Sequence, residues 1–102
     1  MITPNDIIKM EIESINFNEL EKVIDDSIKC FHGWYPWEEA IISGEYSLEI
    51  RNVIGKKYKD AGWKHVYHRT SSGNGEKFGL TNFIFSNAIL DDRYLRDFIE
   101  VI

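Results

Sequence analysis

The chain has one cysteine, two prolines and three histidines in 102 residues. A lone thiol, Cys30, cannot form a disulfide within the chain, which excludes a disulfide scaffold and suits a reducing compartment. No apolar run approaches the roughly 18 residues that a membrane helix needs. Pro4, Asn5 and Asp6 stand where a secretory signal would carry its apolar stretch. The expectation is a cytoplasmic protein with no membrane partner. Internal repeats, low-complexity tracts and long linkers are missing as well, so residues 1–102 are expected to form one domain.

Signatures of chemistry are equally scarce. The possible metal ligands are Cys30, His32, His65 and His68. Cys30 and His32 are two apart near an expected helix end, and His65 and His68 project to opposite faces of a strand. Neither pair converges on a tetrahedron, so no metal is expected. Cys30 ends an apolar stripe and has Asp25, Asp26, Glu38 and Glu39 around it in sequence. A packed thiol is expected there, not a reactive thiolate, which would need an electropositive setting. The glycine-containing stretch from Thr70 to Lys77 is followed by a strand, whereas a P-loop opens a helix. Turn chemistry at Asn74-Gly75 accounts for it. The carboxylate pairs Glu38-Glu39 and Asp91-Asp92 sit at element ends, where solvated or helix-start residues are usual. These absences argue against an enzyme and against a bound cofactor.

Aromatic residues are abundant: three Trp, five Tyr and six Phe. With 43% hydrophobic residues, a chain of this length can build a core without a metal or disulfide staple. The order of elements follows from periodicity and caps. Thr3, Pro4 and Asp6 make a helix start, although Ile8, Met10 and Ile12 also alternate like a strand. Phe17, Leu20, Val23, Ile24, Ile28 and Phe31 form one face of a second helix, capped by Asn16 or Asn18 and ended by Gly33. Residues 38–43 fit either a helical turn or a strand. The strand is favoured, because the later hairpin would otherwise be a bare two-stranded ribbon. Ser47 caps a third helix with Ile50, Val53, Ile54 and Tyr58 on its stripe, and Gly62 ends it. Residues 64–70 and 80–86 read as an antiparallel hairpin. A final helix is expected from Asn87 or Asp91 onward, with Tyr94, Leu95, Phe98, Ile99 and Ile102 apolar. The predicted class is α+β: a small antiparallel sheet, hairpin 64–70/80–86 plus strand 38–43, covered by about four helices.

Charge is divided along the chain. Residues 1–50 carry three basic and eleven acidic side chains, whereas residues 51–77 carry seven basic and two acidic. Such a split either marks an interaction surface or is neutralised where the halves pack together. Two surfaces follow. Trp34, Tyr35 and Trp37 could anchor a protein partner, since aromatic residues dominate interface energetics; the alternative is a folded aromatic corner in the core. Arg51, Lys56, Lys57, Lys59, Lys64, Arg69 and Lys77, interleaved with Tyr58, Trp63 and Tyr67, have the composition of a single-strand nucleic-acid surface. The net charge of −5 weighs against that second reading.

Residues Ile50 to Ile54, Tyr58 to Trp63, His65-Val66, Thr70 to Ser72, Asn74 to Glu76 and Gly79 to Phe83 together resemble small uncharacterised proteins encoded by tailed bacteriophages. The resemblance spans about residues 50–86. It implies an accessory role that modulates a host protein, and it carries no catalytic or binding residues with it. The expected function is non-enzymatic protein binding, with nucleic-acid binding through residues 51–77 as the alternative.

Overall fold

The computed structural model describes residues 1–71 and 79–102. Among the described residues, three helices and four strands follow in the order α1 (Pro4–Ser14), α2 (Phe17–Phe31), β1 (Glu38–Ser43), α3 (Leu48–Asp60), β2 (His65–Ser71), β3 (Leu80–Ser86) and β4 (Ile99–Glu100). A 3₁₀ turn at Asp92–Tyr94 lies between β3 and β4. The sheet is antiparallel throughout, in the order β1-β3-β2-β4. The α+β class and strand 38–43 are as the sequence predicts.

Local chemistry sets the helix starts. At α1 the Thr3 hydroxyl accepts from Asp6 N at 3.2 Å, while Thr3 N donates to the Asp6 carboxylate at 2.9 Å. This reciprocal box satisfies two otherwise orphaned donors. It also holds the Asp6 carboxyl below its usual range. Asn16 caps α2 through Glu19 N, and Ser47 caps α3 through Ile50 N.

Strand parity sorts side chains onto two faces. Ala40, Ile42, Val66, Phe83 and Phe85 face the helices and pack with Leu20 and Ile24 of α2 and Ile50 and Ile54 of α3. The outer edge of β1 is closed by α2: Ile41 N donates to Ser27 Oγ at 2.9 Å, and the hydroxyl donates back to Ile41 O. An open strand edge is thereby covered by a helix side chain.

The opposite face carries Glu39, Tyr67, Asn82 and Ile84, all buried. The segment after β3 crosses it, placing Tyr94 against Trp37 and Phe98 beneath Arg69.

The expected fourth helix does not form. Residues 87–102 make the 3₁₀ turn, a further bend and the short strand β4, so three helices cover the sheet and a fourth strand extends it. The reason is tertiary. Tyr94, Phe98 and Val101 have separate destinations on two faces of the sheet, and the open edge of β2 offers backbone partners. Val101 N takes one of them, donating to Val66 O at 2.8 Å. Edge pairing and burial outweigh the weak helical preference of a short segment.

Candidate functional site

The aromatic corner is built by the end of α2. Gly33 turns the chain at φ +89°, a region that glycine enters without a steric penalty. Trp34 N donates to Phe31 O at 3.1 Å, and the two rings meet edge to face at 5.8 Å. Tyr35 stacks flat on Trp37 at 5.2 Å, and Tyr94 meets Trp37 at a tilt, 5.1 Å away. His32 and Glu38 clamp the two ends of the loop at 2.7 Å.

The three sequence-predicted anchors are therefore not equivalent. Trp34 is 72% exposed and Tyr35 is 42% exposed, whereas Trp37 is half-buried between two rings. Trp37 Nε1 is buried with no hydrogen-bond partner of good geometry among the described residues. It lies towards Glu39, whose carboxyl is pushed above its usual range by burial, with Asn82, Trp37 and Arg69 opposing that shift. Trp37 belongs to the packed part of the corner, whereas Trp34 and Tyr35 stay exposed on it. Tyr94 completes it and was not legible in the sequence as a member, because its spacing fits a helical stripe.

The basic stretch is distributed over several surfaces. Arg51 is buried beneath α3. Lys57 pairs with Glu21 at 3.4 Å and lies over the Phe17 ring. Lys59 Nζ donates to Val101 O at 3.1 Å. Lys56 is exposed beside a groove formed with Asn52, Val53 and Ile99. Lys64 is exposed next to Asn87. Arg69 is on the face of the sheet away from α3, with Phe98 and Asp97. Lys77 lies outside the described residues. The interleaved aromatic rings are occupied too: Tyr58 donates to Asp25 at 2.7 Å and packs on Phe85, Trp63 packs on Phe85, and Tyr67 is buried. The Tyr58 hydroxyl is held protonated to unusually high pH by burial and by Asp25.

Cys30 is exposed, contrary to the packed position expected of it; in the second half of α2 it is Ile24 and Ile28 that reach the core. Among the described residues, no three His, Cys, Asp or Glu side chains are grouped to hold a metal ion. His65 and His68 are on opposite faces; His65 meets Glu100 at 3.3 Å. No helix among the described residues is long and apolar enough to cross a membrane.

One buried polar cluster was not foreseen. Arg51 Nη1 lies 3.1 Å from His68 Nδ1, and His68 Nε2 lies 3.0 Å from Asn52 Oδ1. Guanidinium can only donate, so Nδ1 accepts and the ring proton is on Nε2, shared with Asn52. Burial, with Arg51 adding to it, lowers the His68 pKa to about 4. The signal was two residues of α3 and one of β2, sixteen and seventeen positions on, with no sequence rule to join them.

Neither a protein-family model, nor a curated protein, nor a solved structure matches this chain.

Proposed function

We propose that this chain is a non-enzymatic protein-binding module that docks its partner on the aromatic corner. The observation that carries the proposal is Trp34, an indole 72% exposed on a backed platform. Large exposed aromatic side chains cost solvation and are concentrated at interfaces. Here the loop beneath is tied at both ends by His32–Glu38 and stiffened by the Tyr35–Trp37 stack and the tilted contact of Tyr94 with Trp37. A preorganised anchor loses little conformational entropy on binding.

Ile89, 86% exposed, extends the apolar surface, since its neighbour Ala88 shares a hollow with Pro36 and Trp37. Acidic groups accompany the corner: Glu38 within it, and Asp92 two residues before Tyr94. The complementary partner surface is therefore basic, with arginine suited to stacking on an indole. The resemblance of residues 50–86 to bacteriophage proteins extends the proposal to a host protein as that partner.

The test is photo-crosslinking from position 35, in the otherwise native chain and with Trp34→Ala added, using extract from a bacterial host. A product that disappears with Trp34→Ala, while the thermal midpoint stays within about 2 °C as expected for a surface change, supports the proposal. Identical products from both proteins would overturn it.

A further inference from the structure

A second site lies away from the corner, at the first turn of α3. Arg51 is only 8% exposed. Its Nε reaches Ser47 O at 3.4 Å and its Nη1 reaches His68 Nδ1 at 3.1 Å. His68 is neutral in this arrangement, so it supplies an acceptor and no countercharge. Among the described residues, no carboxylate comes within ion-pair distance of Arg51. A buried cation without a counterion is costly, and such groups are normally paired. Burial lowers the Arg51 pKa, with Glu49 acting against it.

Arg51 lines an open surface hollow of about 440 Å³ together with Ser47, Thr70, Tyr46, Glu11 and Glu45. One cation and two carboxylates share the hollow. Arg51, with the exposed Thr70 hydroxyl and the positive end of α3 beside it, suits an oxyanion. Glu11 and Glu45 suit a cation and disfavour a dianion such as phosphate. Cγ and the carboxyl group of Glu45 lie beside Gly79, at the rim of the hollow.

We infer that this cavity binds a small zwitterion of the amino-acid class, its carboxylate on Arg51 and Thr70 and its ammonium towards Glu11 and Glu45. A bipolar ligand answers both charges at once, which neither an anion nor a cation alone does. His68 and Asn52 are positioning residues, holding the guanidinium in place from behind.

The experiment is calorimetric titration of the full chain with glycine, β-alanine and 4-aminobutyrate, against acetate, methylammonium and inorganic phosphate. At least one zwitterion is expected to bind saturably, about tenfold or more tighter than each singly functional probe. Amide shifts on titration are expected at Ser47, Arg51 and Thr70. Arg51→Gln is expected to abolish binding. Because that variant removes a buried group and can unfold the chain, the paired variant Glu11→Gln/Glu45→Gln is the second arm. Both side chains are exposed, so the fold is expected to survive. It should weaken zwitterion binding about fivefold or more and strengthen acetate binding. No saturable zwitterion binding, phosphate binding as tightly as the zwitterion, or indifference to the paired variant would each overturn the inference.

Discussion

His68 and Gly55 show how single residues carry more than their neighbourhood in sequence suggests. His68 is completely buried and neutral, with a pKa lowered to about 4 from the ordinary 6.5. The native state thus takes up its proton at lower pH than the unfolded chain does. Stability from this group is intact above about pH 6.5 and is lost as pH falls towards 4, by up to about 3 kcal/mol. His68→Gln is expected to flatten that part of a stability-against-pH curve, measured by urea unfolding between pH 7 and 4. An equal slope in the variant would contradict the assignment. Gly55 is in the middle of α3, where alanine would ordinarily help the helix by about 1 kcal/mol. A Cβ there would run into the side chain of Val101, which is 2% exposed. Overpacking is expected to prevail, so Gly55→Ala should lower stability by about 1–2 kcal/mol. Adding Val101→Ala should make the glycine substitution harmless, and a double-mutant cycle measures the coupling.

Among elements, α1 and α2 differ in what holds them. The α1 helix has a complete capping box yet no buried residue; α2 buries Leu20 and Ile24 and seals the edge of β1 through Ser27. Capping determines where a helix begins, whereas tertiary packing supplies most of its stability. Amides of α1 are therefore expected to exchange with deuterium at least about tenfold faster than those of α2, while Phe83 and Phe85 of β3 exchange near the global limit. Comparable protection in the two helices would mean that α1 is anchored by more than Ile12 and Ile15. The same reasoning covers the C-terminal segment. Its two-residue strand is held by Val101 N to Val66 O and by ring contacts at Tyr94 and Phe98. A helix there would have satisfied its own backbone but left the edge of β2 and one face of the sheet uncovered.

Across the whole molecule, the charge split resolves partly by contact. The acidic α2 meets the basic end of α3 through Lys57–Glu21 and Tyr58–Asp25. Arg51 and Arg69 are on opposite faces of the sheet, and Tyr58 and Trp63 serve the core. Fluorescence anisotropy with labelled single-stranded DNA is therefore expected to show no salt-sensitive binding, because phosphate tracking needs cations along one path. Binding abolished by Lys56→Glu would restore the nucleic-acid reading. What could be read from the sequence alone was local. Thr3, Asn16 and Ser47 announced the helix starts through hydroxyl and amide chemistry within three residues. Alternation marked the hairpin strand at 64–70, β-forming residue types marked 80–86, and the need for a third strand identified residues 38–43. The candidate anchors Trp34 and Tyr35 were legible by residue type, but their exposure was not, since Trp37 two positions on is half-buried. Only the tertiary structure decided the fate of residues 87–102, the exposure of Cys30, and the meeting of Arg51, His68 and Asn52. Each of these depends on which surface another element leaves open, and periodicity within a segment holds no information about that surface.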